Sequence, residues 1–284
     1  MYYAPGSLSE AVSLYVAHPQ AILLGAGTDV LVNVAHGRST LKTIIDLKRV
    51  CELGFISEEG KNVKIGSMTT ISDVGESLVI HERYPFLQKA ALKLGSWQIR
   101  NMATVGGNLC NAAPSAELAT PLLAANATAV LVGPNGERKI ALSELFRGPG
   151  KTTLGQGEIM KEVVLPPLED GVSGIYMRHQ LRRSMDISIV NMTVLLQFDN
   201  DVVSDASIYL GAVAPTPMRA KETEKKLIGH QLDDMVIEAA TETAAAEAKP
   251  ITDVRASEKY RRQMVKVYMK RALTALRGRE VSPR

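Results

Sequence analysis

Apolar positions in the first part of the chain fall into short groups with two different periods. Residues 21–24 and 43–47 are compact apolar runs between polar or turn residues, a pattern that predicts strands. Ser7 and Glu10 have the spacing of a capping box before an amphipathic stretch, and residues 29–34 have a second helical pattern. The order helix, strand, helix, strand predicts a small α/β unit.

Strand pairs and helices are predicted from there to a double proline. The expected elements are a strand pair within 52–66, helices over 71–80, 85–94 and 116–124, a hairpin over 129–140 and a strand over 162–165. Thr70 and Ser115 are expected to cap the first and third of these helices. Pro166 and Pro167, followed by residues 169–171 (Glu-Asp-Gly), mark the best domain boundary, because proline and glycine interrupt both helices and strands.

The C-terminal part presents its strands first and its helices afterwards. Three strands are predicted over 175–180, 190–198 and 206–210, and three helices over 218–227, 233–246 and 258–276. This order is typical of an α+β layer.

The composition is that of an ordinary globular protein. The 284 residues are 45% hydrophobic and 22% charged, and 33 basic against 30 acidic residues give a formal net charge of +3. Because the two signs are interspersed, we expect no nucleic-acid interface. The most apolar stretch, residues 118–132, is broken by Pro121 and Asn126 and is shorter than the roughly 20 residues that a membrane span needs.

Cys51 and Cys110 are the two cysteines of the chain. Two are too few for an iron–sulfur cluster, which takes about four ligands, and too few for a disulfide scaffold. The first residues lack the basic and apolar regions of an export signal. We therefore expect a soluble protein of the reducing cytoplasm.

A glycine-rich turn, Gly25-Ala26-Gly27-Thr28-Asp29, follows the predicted strand at 21–24. Its N–H groups precede the helix predicted at 29–34, where the helix dipole favours an anion. The dinucleotide fingerprint G-x-G-x-x-G is not met, because Val30 stands at the third glycine position, so an NAD-type Rossmann domain is disfavoured. A phosphate cradle and a plain strand-to-helix turn both remain open.

A second glycine segment, Asn101-Met102-Ala103-Thr104-Val105-Gly106-Gly107-Asn108, places two adjacent glycines between a hydroxyl and an amide side chain. Consecutive glycines permit positive φ and close backbone approach, so the segment predicts a loop with uncovered N–H groups of the kind that a pyrophosphate needs. Arg100 and Asn101 precede the glycines, within reach of a phosphate or a ribose. A tight turn in a core crossing is an equal alternative from the residues alone.

Familiar catalytic patterns are absent from the sequence. Gly150-Lys151-Thr152 resembles the end of a phosphate loop, but Leu145 occupies the first glycine position. No pair among the five histidines has the spacing of a metal site, and neither a serine elbow nor an activated cysteine is evident. If the chain is an enzyme, we expect an organic cofactor to carry its chemistry.

Two groups of arginines receive different interpretations. Arg178, Arg182 and Arg183 lie near the predicted domain junction, where they could face a cofactor. Arg261 and Arg262 lie in a predicted helix, and we expect them on its solvated face.

In combination, these segments resemble the FAD-binding subunits of the molybdenum hydroxylases, the medium chains of the carbon monoxide dehydrogenase and xanthine dehydrogenase type. The similar segments occur in order over nearly the whole chain and comprise residues 23–30, 98–108, 114–117, 146–148 with Thr153, 158–160 and 211–220. The resemblance implies an α+β fold: a two-subdomain α/β FAD-binding domain of the PCMH type, residues 1–167, and a C-terminal domain of the CO dehydrogenase flavoprotein type, residues 172–284, built on a three-stranded antiparallel sheet with helices.

The resemblance also implies a binding site, with FAD in the cleft between the domains and its pyrophosphate held by the two glycine segments from opposite sides. Glu117 matches an acidic residue, usually Asp, that contacts the adenosine half, and Arg178 stands where relatives often have Lys beside the flavin. Ala26 departs from the commoner glycine. The implied cofactor-binding residues are Leu23, Leu24, Gly25, Ala26, Gly27, Thr28, Asp29, Val30, Arg100, Asn101, Thr104, Val105, Gly106, Gly107, Asn108, Glu117, Ile159, Met160 and Arg178. No catalytic side chain and no metal ligand is implied.

The activity implied by the resemblance is electron transfer within a larger oxidoreductase. A large partner subunit with a molybdopterin cofactor oxidises the substrate, a small partner subunit with two [2Fe–2S] clusters passes electrons to the FAD of this chain, and NAD, a quinone or oxygen accepts them. The complex is expected to be a heterotrimer or a dimer of heterotrimers. The two cysteines agree with this division, since they leave the chain without a cluster of its own.

Two other functions are weighed against this one. A free-standing FAD-dependent oxidase or dehydrogenase would need a substrate pocket with a catalytic base, which the sequence does not reveal. An assembly subunit without a cofactor is disfavoured by the intact Gly106 and Gly107.

Overall fold

A small parallel sheet forms the first unit of the computed structural model, which describes residues 1–38, 40, 42–182 and 185–278. Its elements are β1 (Tyr2–Tyr3), α1 (Leu8–Ala17), β2 (Ile22–Leu24), α2 (Val30–Ala35) and β3 (Ile44–Asp46), with strand order β1-β3-β2. The Ser7 hydroxyl accepts the N–H of Glu10 and caps α1, whose Ala11 belongs to the same buried cluster as Ile45. The predicted α/β unit is confirmed, with β1 as an additional edge strand.

The second unit is a five-stranded antiparallel sheet covered by short helices. Its strands run in the order β4-β5-β10-β6-β7, and β8 pairs with β9 beside them. The elements are β4 (Ile56–Glu59), β5 (Asn62–Gly66), α3 (Ile71–Glu76), α4 (Leu78–Arg83), α5 (Pro85–Lys93), α6 (Trp97–Arg100), α7 (Val105–Cys110), α8 (Ala119–Ala124), β6 (Thr128–Gly133), β7 (Gly136–Ala141), β8 (Phe146–Gly148), β9 (Lys151–Thr152) and β10 (Ile159–Leu165).

Three helices of this unit differ from the prediction. The helix predicted over 71–80 is interrupted at Ser77, whose hydroxyl accepts the N–H of Ile80 and starts α4. Ser115 does not cap α8, which begins at Ala119. The segment predicted as a glycine loop is the first turn of α7, because the hydroxyl of Thr104 caps a helix that contains both glycines.

The C-terminal unit is an antiparallel sheet followed by three helices. Its elements are β11 (Val172–His179), β12 (Val190–Asp199), β13 (Val202–Gly211), β14 (Met218–Arg219), α9 (Lys221–Leu227), α10 (Asp234–Glu247) and α11 (Glu258–Arg277). The sheet has four strands in the order β11-β12-β13-β14, so the prediction of three strands was one short. The helix predicted from 218 begins instead at Lys221, because Met218 and Arg219 pair with Leu210 and Tyr209 as strand β14.

This sheet is covered on both faces. Helix α11 packs on β11 and β12, while α5 and α8 of the second unit lie against the other face. Tyr176, Leu195 and Tyr209 therefore belong to the same buried cluster as the helices of the second unit. The junction is also hydrogen-bonded, since the N–H of Ala212 donates to the carbonyl of Pro114 at 2.7 Å.

No helix within the described ranges combines the length and the apolar character needed to cross a bilayer. The predicted C-terminal domain includes residues 279–284, which lie outside those ranges.

Candidate functional site

A cavity of about 660 Å³ brings the two glycine segments together. The first segment lines it along residues 25–30, the second contributes Thr104, Gly107 and Asn108, and the C-terminal unit contributes Asp186 and Ile187. Cavities of roughly 300–1,000 Å³ are typical of sites for small molecules and cofactors. The cavity is thus large enough for an extended ligand and is lined by residues of both parts of the chain.

The first glycine segment presents a row of free hydrogen-bond donors to this cavity. Within the described residues, the N–H groups of residues 25–29 donate no hydrogen bond. Gly27 has φ +82°, a left-handed conformation that glycine adopts readily and that lets the chain turn from β2 into α2. Unpartnered N–H groups at a concave backbone form a cradle for an anion, so this segment fits a phosphate.

The N–H groups of Val105, Gly106 and Gly107 in the second segment are not free, and this part of the prediction was wrong. The N–H of Val105 donates to the carbonyl of Thr69 at 3.0 Å, that of Gly106 to Ser67 at 2.7 Å, and that of Gly107 to Oγ1 of Thr104 at 3.1 Å. Gly106 is a packing residue, because a Cβ there would lie 2.7 Å from the Cβ of Ser67. The segment offers the cavity the Thr104 hydroxyl and a surface of small residues.

Asn108 links the second segment to the acidic residue that follows it. Its side-chain oxygen accepts the N–H of Leu118 at 3.2 Å and so fixes the stretch that carries Glu117. Both Asn108 and Glu117 line the cavity.

The structure places the predicted cofactor residues in two sets. Those that line the cavity are Leu23, Gly25, Ala26, Gly27, Thr28, Asp29, Val30, Thr104, Gly107, Asn108, Glu117 and Met160. Those that do not are Leu24, Arg100, Asn101, Val105, Gly106, Ile159 and Arg178. The contact of each residue with FAD stays a prediction.

Two causes keep five residues of the second set away from the cavity. Leu24, Val105 and Ile159 are buried among apolar side chains. The guanidinium of Arg100 donates to the carbonyl of Leu94 at 3.1 Å, and the side-chain oxygen of Asn101 accepts the hydroxyl of Ser72 at 2.5 Å. These polar groups are occupied by neighbouring protein atoms.

Glu117 and Arg178 form a buried ion pair across the junction of the two parts of the chain. The Nε of Arg178 lies 3.3 Å from Oε1 of Glu117, and the side chains are only 4% and 7% exposed. The hydroxyls of Tyr176 and Ser188 also donate to the carboxylate. Burial raises the pKa of Glu117, while the guanidinium and the two hydroxyls oppose that shift. Arg178 therefore lies behind the cavity lining.

Further titratable groups surround the cavity. Burial raises the pKa of Asp29 and raises that of the Cys110 thiol to about 12. The two-pronged contact with Arg138, at 2.6 and 2.7 Å, is the main cause that lowers the pKa of Glu158. Glu158 thus remains a fixed negative charge at the edge of the cavity.

Asp186 is a lining residue that sequence reasoning missed. Although burial opposes the shift, hydrogen bonds from the N–H groups of Arg182, Ile187 and Leu181 lower its pKa. An aspartate that binds neighbouring N–H groups is the mark of a local turn, which is the signal that could have indicated it. Arg182 itself extends outward, with its side chain 70% exposed, and Arg183 lies outside the described residues.

Within the described part of the chain, no three His, Cys, Asp or Glu side chains converge as a possible metal site.

Two family models together match almost the entire chain. Residues 1–168 match the FAD binding domain in molybdopterin dehydrogenase, and residues 176–276 match the CO dehydrogenase flavoprotein C-terminal domain. The two matches follow each other in the order of the units described above.

Known proteins with similar sequences and structures belong to the same group. The chain is 32% identical over 275 residues to the xanthine dehydrogenase FAD-binding subunit of Escherichia coli O157:H7, covering 96% of this chain and 94% of the relative. It is 32% identical over 275 residues to the carbon monoxide dehydrogenase medium chain of Hydrogenophaga pseudoflava, covering 96% of each.

The solved structure of carbon monoxide dehydrogenase from Hydrogenophaga pseudoflava, in the form that lacks the Mo-pyranopterin moiety, superimposes with a TM-score of 0.93. The identity is 32%, with 98% of this chain and 97% of that chain covered. From these matches and the cavity geometry, the chain belongs to the family of FAD-binding medium subunits of the molybdopterin dehydrogenases and is an FAD-dependent oxidoreductase subunit.

Proposed function

We propose that this chain is the electron-transfer subunit of a molybdenum hydroxylase complex. It would receive electrons from the [2Fe–2S] clusters of a small partner subunit and deliver them through its FAD to NAD, a quinone or oxygen. A large partner subunit with a molybdopterin cofactor would oxidise the substrate, and the three chains would form a heterotrimer or a dimer of heterotrimers.

The observation that supports this proposal best is the row of free N–H groups at residues 25–29 in the wall of the cavity. These groups suit a pyrophosphate, and the hydroxyl of Thr104 adds a donor from the facing segment. Bound FAD supplies redox chemistry in one- or two-electron steps. The protein's own part is to bind the pyrophosphate through these groups and to orient the cofactor between the two parts of the chain.

The cysteine content of this chain and the name of one relative support the assignment of the clusters and the substrate pocket to partner subunits. Its two cysteines cannot ligate an iron–sulfur cluster without further ligands. The relative from Hydrogenophaga pseudoflava is described as a medium chain, which implies partners of different size. The substrate pocket would then lie on the large partner, and the electron acceptor would meet the FAD of this chain.

The test compares the full chain alone with the full chain co-expressed with its large and small partners. The chain alone should carry flavin absorbance that dithionite bleaches, and no organic substrate should bleach it. The complex should show flavin bleaching on addition of the partner's substrate and recovery on addition of the acceptor.

Each alternative has its own outcome in this experiment. Turnover of an organic substrate by the isolated chain would favour a free-standing oxidase or dehydrogenase. A chain that copurifies with neither partner, and that neither contains nor binds FAD, would contradict the electron-transfer function and favour a cofactor-free assembly subunit.

A further inference from the structure

Arg178 on β11 contacts three segments that are far apart in sequence. Its Nη1 donates to the carbonyl of Lys93 at the end of α5, and its Nη2 donates to the carbonyl of Asp186. Its Nε lies 3.3 Å from Oε1 of Glu117 and makes an ion pair without a directed hydrogen bond. With 4% of the side chain exposed, nearly the whole guanidinium is enclosed by these contacts.

Each of the three segments is part of the cavity lining. Leu94 and Gly95, which follow Lys93, line the cavity, as do Asp186 and Glu117. Arg178 does not line it. One buried side chain behind the lining is therefore bonded to three parts of it.

The chemistry of arginine explains why this position can join three segments. The guanidinium is planar, permanently charged and carries five N–H donors in fixed directions, so it can serve two carbonyls and a carboxylate together. The Glu117 carboxylate is held in turn by the hydroxyls of Tyr176 and Ser188. A lysine ammonium is a point charge and cannot reproduce this planar arrangement.

We propose that Arg178 is a positioning residue, which holds three parts of the cavity lining in the geometry that FAD requires and does not itself touch the cofactor. The proposal rests on the proposed FAD-dependent function. It replaces the expectation that the side chain at 178 lies beside the flavin, and it makes docking of the C-terminal unit a condition for tight cofactor binding.

The first test measures FAD affinity in the full chain by fluorescence titration after removal of the cofactor. Arg178→Met should raise the Kd for FAD about tenfold, since the lining is no longer preorganised. Arg262→Met is the matched control, because Arg262 donates to the carbonyl of Ala245 and pairs with Glu258 away from the cavity. Its Kd should stay within about twofold of the wild-type value, even if both variants melt at a lower temperature.

Arg178→Lys separates positioning from charge. The lysine keeps the positive charge beside Glu117 but cannot join the three segments, so its Kd should stay close to that of Arg178→Met. Wild-type affinity in Arg178→Lys would show that charge alone suffices and would overturn the proposal, as would wild-type affinity in Arg178→Met. If Arg178→Met does not fold, the lysine variant decides the question.

A measurement on the FAD-free chain keeps this proposal separate from the proposed function. Amide hydrogen exchange should become faster in peptides covering residues 90–96 and 185–190 of Arg178→Lys, and in neither peptide of Arg262→Met. Unchanged exchange in both peptides would overturn the positioning role. A wild-type chain that binds no FAD would instead contradict the proposed function, whichever way the exchange experiment turned out.

Discussion

Gly25 and Thr104 bring the two glycine segments into contact, because a Cβ on Gly25 would lie only 3.0 Å from Oγ1 of Thr104. The same hydroxyl accepts the N–H of Gly107 at 3.1 Å and so caps α7. The Thr104 side chain thus caps the helix that the second segment enters and also faces the first segment. The spacing between the segments depends on the absence of a side chain at position 25.

Gly25→Ala should weaken FAD binding without unfolding the chain. The added methyl would lie 3.0 Å from the Thr104 hydroxyl oxygen, which would therefore have to move by a few tenths of an ångström, whereas the 3.7 Å distance to Sδ of Met68 is an ordinary contact. We expect the Kd for FAD to rise about tenfold, measured by fluorescence titration of the full chain. Gly148→Ala is the matched control, because its Cβ would meet nothing within 4 Å. Equal affinities in the two variants would contradict this role of Gly25.

Gly106→Ala should destabilise the fold whether or not FAD is bound. Its Cβ would lie 2.7 Å from the Cβ of Ser67 and 2.9 Å from the Ser67 carbonyl oxygen, a backbone atom that cannot easily move. Overpacking of this kind costs about 1–3 kcal/mol, so the urea midpoint of the FAD-free chain should fall.

Gly107→Ala is the comparison for Gly106. The Cβ of an alanine at 107 would contact only the Thr104 hydroxyl oxygen, at 2.9 Å. That oxygen is a side-chain atom that faces the first glycine segment. Gly107→Ala should therefore change FAD affinity more than the free energy of unfolding. If the two variants lost the same stability and the same affinity, the separate roles of the two glycines would be disproved.

The sequence locates both glycine segments but does not indicate which one keeps its N–H groups free. The donors of Val105 and Gly106 are used by Thr69 and Ser67, which are remote in sequence. No local pattern predicts such partners, whereas a threonine before a helical run is a recognisable cap. The free donors of residues 25–29 follow from the shape of the turn, for which the residues alone left a phosphate cradle and a plain strand-to-helix turn open.

Arg261 in the C-terminal unit is a second case in which local sequence does not predict the tertiary hydrogen-bond partners. It was expected on a solvated helix face, yet it is 3% exposed, and its guanidinium donates to the carbonyls of Ile189 and Ala212 at 2.8 and 3.0 Å. Its neighbour Arg262 is partly exposed, as the prediction required. Helical periodicity distinguishes the two faces, but only the tertiary fold supplies the carbonyls that make a buried arginine stable.

The fold class was accessible from the sequence because long β-strands keep their apolar pattern. Strands β12 and β13 follow the predicted runs, whereas the two-residue strand β14 is too short to carry a pattern of its own. The pairing of β14 with β13 depends on the tertiary fold, which a two-residue sequence cannot indicate.

Alkylation should distinguish the two cysteines. Cys51 is exposed, whereas burial raises the pKa of the Cys110 thiol to about 12. Because the thiolate is the nucleophile, Cys110 should be almost unreactive at about pH 8. Iodoacetamide should give a single adduct on the native chain, at Cys51, and a second one in urea, as detected by mass spectrometry. Cys51→Ala should remove the native adduct, and a native adduct on Cys110 would contradict the raised pKa of its thiol.

Asp253→Asn should destabilise the chain at neutral pH and lose this effect in acid. Although burial opposes the shift, the N–H groups of Arg255 and Ala256 and the guanidinium of Arg261 lower the pKa of Asp253 from 3.8 to about 2. Because the folded pKa lies below the unfolded one, the carboxylate contributes stability above about pH 4, and that contribution is lost as the pH falls toward 2.

The expected decrease in the free energy of unfolding for Asp253→Asn is about 2 kcal/mol at neutral pH, measured by urea denaturation of the full chain. The asparagine oxygen can still accept the two N–H groups, so the loss reports mainly on the charge beside buried Arg261. Arg255→Met removes a more exposed partner of the same carboxylate and should cost less than about 1 kcal/mol. A difference between wild type and Asp253→Asn that stayed constant as the pH fell through this range would show that the carboxylate's charge does not stabilise the fold.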